Sequence, residues 1–285
     1  MKSLFKIGIV LSVFGIFWHS GSAQQSMVLD GIVVNENTPS RKVIPYANLR
    51  QADVMWQKRV WRRIDLRKKQ NQVFYFPEEP AQGRKNLFDY IREGLLEDGT
   101  LTAYDPGPPT DPDDEFTRAY TADEVMKVMV SETEVEIFDE FGDVTGTETV
   151  YDTLRSANIK FYEIKEEWFF ERQRSVMDVR IIGIKPMAEI EGPDGNPTIQ
   201  DLFWIYFPEA RFVFKKSEVF NRVNDAERRT YEDIFWKRQF ESTIIKVSNV
   251  YDRQIRDYKT GLDALLEAEK IETEIFNFEH DLWHF

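Results

Sequence analysis

The stretch IKFYEIKEEWFFERQRSVMDVRIIGI, residues 159–184, decides the fold of this chain. Its two halves, 159–170 and 176–184, are rich in β-branched and aromatic residues, and a short polar segment separates them. Two such runs in succession are typical of a β-hairpin. We therefore expect two long antiparallel strands at the centre of the fold.

Further strand-like runs flank this hairpin on both sides. They lie at 135–138 and 144–151 before it and at 202–208 after it. A shorter run, 72–80, also has the character of a strand, which Pro77 would stop because proline cannot donate to a ladder. Strands that follow one another with short connections predict a mainly antiparallel sheet.

Helices are predicted before and after the sheet. Trp56, Val60 and Ile64 recur at every fourth position within residues 52–66, which places them on one face of a helix. Helix-capping pairs occur three times, with an acidic residue three positions after the cap: Asn86 with Asp89, Thr121 with Glu124, and Thr230 with Asp233. The predicted fold class is α+β, with a mainly antiparallel central sheet and helices on either side of it in the sequence.

The carboxyl-terminal third is predicted to be helical. The helix that begins after Thr230 would continue to Ile244. A second helix over 261–283 would carry an apolar stripe at Ala264, Ala268, Ile271, Ile275, Phe278 and Leu282.

The amino terminus predicts export. Two lysines precede an apolar run over 7–18, and the small residues Gly21 and Ala23 place a cleavage site before Gln24. The apolar run is shorter than the roughly 20 residues that a bilayer span needs. We therefore expect a signal peptide at 1–23 and no membrane span in the mature chain.

Composition divides the remaining chain into four segments. Residues 104–114 hold four prolines and one glycine, which exclude a helix or a central strand there. The expected segments are an extended N-terminal arm at 24–51, a helical or α+β region with a basic helix at 52–103, a Pro/Asp-rich loop or linker at 104–117, and an α+β core with C-terminal helices at 118–285.

The composition excludes several classes of function. The chain of 285 residues carries a formal net charge of −13, contains no cysteine and has only three histidines. Thiol catalysis, cysteine metal sites and disulfides are therefore excluded, and nucleic acid is disfavoured as a partner. No phosphate-binding loop or cofactor motif is present. The acidic loop 111–115 departs from the calcium-loop pattern, which leaves at most a weak site there.

Carboxylates on the first strand of the hairpin are the candidates for catalysis. Glu163, Glu166, Glu167 and Glu171 lie close together in the sequence. A glycosidase needs two carboxylates that flank a sugar, so a secreted, carboxylate-dependent, glycan-active enzyme stays open as an alternative. Clustered acids on a strand more often form its solvated face, which is what we expect here.

Charge is strongly segregated along the chain. Residues 58–69 contain seven cations and a single acid, whereas 93–117 and 128–154 each contain eight acids and no base. The basic segment could fold onto these acidic segments, or it could bind a partner or another copy of the chain. Because arginine and tryptophan often anchor interfaces, the candidate partner-binding residues are Trp56, Arg59, Trp61, Arg62 and Arg63.

Several long blocks of the sequence resemble one known family. They are KRVWRRIDLRKKQN, LFDYIREGLLEDGTLTAYD, KEEWFFERQRSVMDVRIIGIKP, LFWIYFPEAR and YEDIFWKRQF, and they occur in order over residues 58–240. This arrangement is similar to the gliding-motility GldN family, which is called PorN in bacteria that do not glide. The resemblance extends from about residue 46 to Trp283.

The resemblance implies a periplasmic component of the type IX secretion system. Proteins of this family are expected to form an oligomeric ring with an outer-membrane lipoprotein of the GldK or PorK type. They are also expected to meet a GldM-type protein anchored in the inner membrane. No catalytic residue and no cofactor are implied. A soluble periplasmic binding module stays open as a further alternative.

Overall fold

The hairpin predicted at 159–184 is present, and both of its strands are long. Residues Ile159–Glu171 and Val176–Glu191 pair antiparallel and form the middle of a seven-stranded sheet. The structure is a computed structural model, which describes residues 42–282 apart from 82, 109–111, 139–143, 192–195, 222–223 and 225–226. The predicted signal peptide and its cleavage site at Ala23 and Gln24 lie outside the described residues.

The described residues contain eleven strands and six α-helices. The strands are β1 Val54–Asp65, β2 Ala103–Tyr104, β3 Val130–Phe138, β4 Val144–Thr153, β5 Ile159–Glu171, β6 Val176–Glu191, β7 Pro197–Asp201, β8 Trp204–Tyr206, β9 Glu218–Val219, β10 Arg229–Thr230 and β11 Thr243–Val247. The helices are α1 Gln72–Tyr75, α2 Leu87–Leu96, α3 Ala122–Met129, α4 Phe207–Phe214, α5 Tyr231–Trp236 and α6 Leu262–Asp281. The fold class is therefore α+β, as the sequence predicted.

The central sheet is antiparallel throughout. Its strands lie in the spatial order β11, β1, β5, β6, β8, β2, and β7 pairs beside β6. Strands β3 and β4 form a separate two-stranded hairpin that follows α3, which confirms the strands predicted at 135–138 and 144–151. The acidic run 128–154 thus lies largely in this separate hairpin.

The prediction of a basic helix at 52–66 is wrong, because these residues form strand β1. A spacing of four residues puts Trp56, Val60 and Ile64 on one face of a helix, but it also puts them on one face of a strand, where every second residue is equivalent. The tertiary structure decides between the two, since β1 is bonded to β5 on one side and to β11 on the other. Valine, isoleucine and tryptophan favour such a central strand.

Two further predictions are wrong for similar reasons. Residues 72–75 form the short helix α1 rather than a strand, and they bury Phe74 among the rings of the core. The helix predicted from Thr230 to Ile244 stops at Trp236. Arg238 then adopts a positive φ of 51°, which no α-helix accommodates, and the chain continues into β11 at the edge of the sheet.

The predicted helix caps are confirmed. The Asn86 side chain accepts a hydrogen bond from the Asp89 backbone N–H at 2.8 Å, and α2 begins at the next residue. Thr121 and Thr230 form reciprocal capping boxes with the acidic residues three positions later. Each such cap satisfies donors that the first helical turn leaves unpaired.

The helices cover one face of the sheet. The main core places Ile64, Tyr162 and Ile164 of the sheet against aromatic side chains that include Phe74 and Phe235. A smaller cluster lies under α6, where it is formed by Val60, Ile244, Val247, Ile255, Ala268 and Ile275. Helix α6 is therefore held mainly by the β11–β1 edge of the sheet.

The segment before β1 is extended, and two arginines hold it. Residues 42–50 have no regular secondary structure. Arg211 donates a hydrogen bond to the Ile44 carbonyl at 2.7 Å and lies over the Tyr46 ring, with its guanidinium carbon 4.3 Å from the centroid. Arg180 donates to the Ala47 carbonyl at 2.6 Å. Stacked and hydrogen-bonded arginines thus fix this segment to the folded body.

Candidate functional site

The five residues that the sequence suggests for partner binding lie on opposite sides of β1. They are Trp56, Arg59, Trp61, Arg62 and Arg63. Successive side chains of a strand point to opposite faces. Trp56 and Arg62 consequently face α6, and the other three face away from it. The structure does not bring all five together on one surface.

Trp56 and Arg62 attach α6 to the sheet. The Trp56 ring stacks on Phe278, with centroids 4.8 Å apart. The buried Arg62 guanidinium donates to Ser242 Oγ at 2.9 Å and to Glu272 Oε1 at 2.7 Å. Both side chains are thus occupied by contacts within the chain.

Trp61 lies between two lysines on the opposite face of β1. It is only 5% exposed, and its direct neighbours across the strands are Lys165 on β5 and Lys246 on β11. The two ammonium nitrogens lie 5.8 and 4.5 Å from the indole centroid. Each such cation–π contact contributes about 0.5–2 kcal/mol, more where water is excluded.

Three lysines of this sheet face are each bonded to an aspartate from another segment. The pairs are Lys165 with Asp114, Lys246 with Asp252, and Lys185 with Asp201, at Nζ–Oδ distances of 3.2, 2.6 and 2.6 Å. Burial is the main cause that lowers the pKa of Lys165, and Asp114 opposes it. Sequence reasoning missed these pairs because each depends on the fold. Asp114 is 51 residues from Lys165, and Asp201 lies on the strand beside that of Lys185. Asp252 meets Lys246 only because the chain turns back after β11.

The remaining arginines on this face also have carboxylate neighbours. Arg59 donates to Glu167 at 3.4 Å, and Arg63 lies 4.0 Å from Glu163. A cleft of about 390 Å³ opens over Trp61, and its charged lining consists of Lys58, Arg59, Asp114, Glu115, Glu167 and Asp252. Acids outnumber bases in this lining, so the basic segment does not present a bare positive surface here.

The carboxylates on β5 are bound to cations rather than solvated, which corrects the expectation from the sequence. Glu166 is completely buried and accepts two hydrogen bonds from Arg238. Glu163 and Glu171 are also buried, beside Lys185 and Arg174 respectively. Three of the four acids of β5 are therefore buried, and Glu167, which lines the cleft over Trp61, is partly exposed.

Adjacent carboxylates on this strand do not face a common cleft. Glu166 points toward the helices, where it meets Arg238, and Glu167 points to the opposite face, where it meets Arg59. Two carboxylates that flank a substrate must project into the same space. Glu166 and Glu167 therefore do not form such a pair.

A larger groove, which the sequence did not predict, lies beside α1. Its volume is about 640 Å³, and its apolar walls include Val73, Phe76, Pro77, Val219, Phe220 and Ile234. Lys69, Arg84 and Arg229 are its charged residues, and no carboxylate is among its described lining residues. Residues from 69–84 and from 219–239 form it jointly, so no local sequence pattern could have indicated it.

Helix α6 exposes a second apolar surface. Its inner stripe packs on the sheet, as predicted, through Ala264, Ala268, Ile271, Ile275 and Phe278. On its outer side the exposed fractions are 70% for Leu262, 56% for Leu265, 52% for Leu266 and 65% for Phe276. The helix also carries seven carboxylates and one lysine. Apolar side chains exposed to this degree as a group are typical of an interaction surface.

The described residues offer neither a metal cluster nor a membrane helix. No group of three or more histidine, aspartate or glutamate side chains among them is arranged to hold a metal ion. None of the helices in this part of the chain combines the length and the apolar character that crossing a bilayer requires.

Comparison with known proteins identifies the family. Residues 49–284 match the family described as gliding motility associated protein GldN. No curated protein matches the chain. The family match covers both the central sheet and the helices that flank it. The chain therefore belongs to the GldN family of gliding motility associated proteins.

Proposed function

We propose that this chain is a non-enzymatic structural component of the periplasmic ring that serves type IX protein secretion and gliding motility. The observation that carries the proposal is the family match over residues 49–284, which includes nearly all of the described structure. Export of the chain through a signal peptide at 1–23 and an association with the outer membrane are parts of the same proposal.

The proposed partners are an outer-membrane lipoprotein of the GldK or PorK type and a GldM-type protein anchored in the inner membrane. Two exposed apolar surfaces support a role in assembly, namely the groove beside α1 and the outer side of α6. Surfaces of this kind are uncommon on a protein that acts alone.

Of the five β1 residues suggested for partner binding, only two are proposed to contact a partner directly. Arg59 and Arg63 are partly exposed and could meet a partner directly. Trp56 and Arg62 would act indirectly, because they hold α6 against the sheet. Trp61 would also act indirectly, through its contacts with Lys165 and Lys246.

The carboxylate pairing on β5 supports a role without catalysis. Glu163, Glu166 and Glu171 are buried beside cations, and Glu166 and Glu167 point to opposite faces. A buried carboxylate whose oxygens bind a cation of the same chain is poorly placed to contact a substrate.

Affinity purification of the tagged chain from gently solubilised cell envelopes tests the proposal. We expect an outer-membrane lipoprotein and an inner-membrane-anchored protein to be recovered with it, in a complex far larger than the 33.7 kDa of one chain. Recovery of a lone monomer from the soluble periplasm would contradict it. That result would favour a binding module, since the 640 Å³ groove has the size of a small-molecule site.

A further inference from the structure

Two exposed apolar surfaces of this chain are opposite in charge. The first is the groove beside α1, whose charged lining residues are Lys69, Arg84 and Arg229. Arg229 donates two hydrogen bonds to Glu227, so Lys69 and Arg84 supply most of the positive charge. The second is the outer side of α6, whose helix carries seven carboxylates and one lysine. The two surfaces share no residue, so one copy of the chain presents both at once.

The groove is built to receive apolar side chains. Phe76 and Phe220 form its walls, and each is 45% exposed. Arg84 lies over the Phe220 ring, with its guanidinium carbon 5.7 Å from the centroid, so that the cation lies at the rim rather than over the floor. A cationic rim around an apolar floor favours an acidic segment with apolar anchors.

The outer side of α6 has those properties. Leu262, Leu265 and Leu266 are spaced at i, i+3 and i+4, which places them together on one face of the helix. Asp263 and Glu269 are exposed and lie on either side of Leu265 and Leu266 in the sequence. An amphipathic helix whose apolar face enters a groove is a common mode of protein recognition.

We propose that the Leu262–Leu265–Leu266 face of α6 in one copy of the chain occupies the groove beside α1 in a second copy. Charge argues against either surface pairing with itself. Two α6 helices face to face would bring their carboxylates together, and two grooves would bring their cations together. The unlike pairing neutralises both surfaces and buries both sets of apolar side chains.

Such a contact is heterologous, because it joins two different surfaces. Each copy that is bound through its groove still offers its own α6, so the contact repeats until a ring closes or a filament forms. This inference rests on the structural role proposed above, because it takes the occupant of the groove to be another copy of the chain. It adds the two surfaces through which the copies would meet.

Two sets of substitutions in the purified full chain test the contact. Leu265→Asp with Leu266→Asp places acids on the exposed face of α6, and Lys69→Glu with Arg84→Glu reverses the rim of the groove. All four side chains are at least partly exposed, so we expect the variants to fold. Circular dichroism checks that they do. The matched controls are Met126→Asp and Lys127→Glu on α3, which are also exposed and lie outside both surfaces.

Sedimentation velocity over a range of concentrations gives the readout. The unmodified chain and the α3 controls should self-associate, and high salt should weaken the association. Each double variant alone should raise the dissociation constant about tenfold or more. Mixed together, the two variants should form a species of two chains and no larger one, since one intact groove and one intact α6 remain.

Three results would overturn the inference. The first is a full chain that stays monomeric at all concentrations tested. The second is association that only one of the two double variants weakens, which would indicate a surface that pairs with itself. The third is a mixture of the two variants that does not form the two-chain species. Capture of the lipoprotein from envelopes tests the proposed function separately, so that either proposal can fail without the other.

Discussion

Both carboxylate oxygens of Glu166 accept hydrogen bonds from the guanidinium of Arg238, at 2.8 and 3.1 Å, although Glu166 has no exposed surface. Trp168 Nε1 donates to the same carboxylate at 3.1 Å. The pair ties the strand at the centre of the sheet to the turn that ends α5. Removal of one partner from a buried ion pair strongly destabilises the fold, because it leaves an uncompensated charge in the interior.

Replacement of Arg238 by alanine should therefore destabilise the fold strongly. We expect a loss of about 3 kcal/mol in the free energy of unfolding, at the lower end for a buried pair because Arg238 is itself partly exposed. Urea denaturation followed by circular dichroism measures it. Lys270→Ala, which removes an exposed i,i+4 partner of Glu274, is the control and should cost less than about 0.5 kcal/mol. Equal losses in the two variants would refute the buried-pair argument.

The stability contributed by Lys165 should depend on pH. Burial lowers the pKa of Lys165 below 10.5, so at intermediate pH the unfolded chain binds more protons at this site than the folded chain. The free energy of unfolding therefore rises with pH from the lowered pKa up to about 10.5. Lys165→Met removes this dependence. The free energy of unfolding of the variant minus that of the unmodified chain should therefore fall as pH rises through this window.

Denaturation series at several pH values for the two chains measure this difference. A parallel series on Lys127→Met, at an exposed lysine, is the control for the effect of replacing a lysine that is not buried. A difference for Lys165→Met that grows with pH would show that the ion pair with Asp114 outweighs burial.

Gly183 should not tolerate alanine. A Cβ atom at this position would lie 2.5 Å from Cζ of Phe116 and 3.2 Å from Cε3 of Trp204. We expect a loss of roughly 1–3 kcal/mol from overpacking, because Phe116 must move off the sheet. Thermal unfolding measures the loss, and combining Gly183→Ala with Phe116→Leu should recover part of it. If the double variant loses more stability than the two single variants lose in total, the proposed clash is not the cause.

Charge reversal distinguishes the role of Arg59 and Arg63 from that of Arg62. Arg59→Glu with Arg63→Glu should leave the fold intact, because both side chains are partly exposed, and should weaken capture of the lipoprotein if they meet it. Arg62→Glu should cost about 3 kcal/mol or more, since it buries a carboxylate beside Glu272. Pull-down assays paired with unfolding curves distinguish the two effects. Undiminished capture by the folded Arg59/Arg63 variant would remove these residues from the interface.

Local signals in the sequence predicted much of the fold. The caps at Asn86, Thr121 and Thr230 depend on residues three positions apart, so they are visible in the sequence and are observed. The β5–β6 hairpin is equally local. Strand β1 was misassigned because a four-residue repeat satisfies both a helix and a strand, and only its two neighbouring strands decide between them.

The candidate surfaces were harder to predict because they depend on distant contacts. The positive charge of 58–69 is visible in the sequence, but among the described ion pairs of this segment only that of Arg67 with Asp65 is local. Glu167, Glu272 and Glu241, which bind other cations of this segment, are more than 100 residues from their partners. The acids of β5 are expected in solvent if one face of the strand is exposed, whereas Glu163, Glu166 and Glu171 are buried and only Glu167 is partly exposed. No single segment of the sequence contains a pattern that indicates the groove beside α1.

The lysine–aspartate pairs of the sheet have a consequence for how the strands find their alignment. Lys165, Lys185 and Lys246 lie on three different strands yet point to one face, where aspartates from three separate segments bind them. A slip of β5 by one residue would turn its lysine to the opposite face. Asp114 would then have no cation, and the loop that carries it would come loose. The ion pairs therefore favour the native register, because Lys165 meets Asp114 only when β5 is paired as observed.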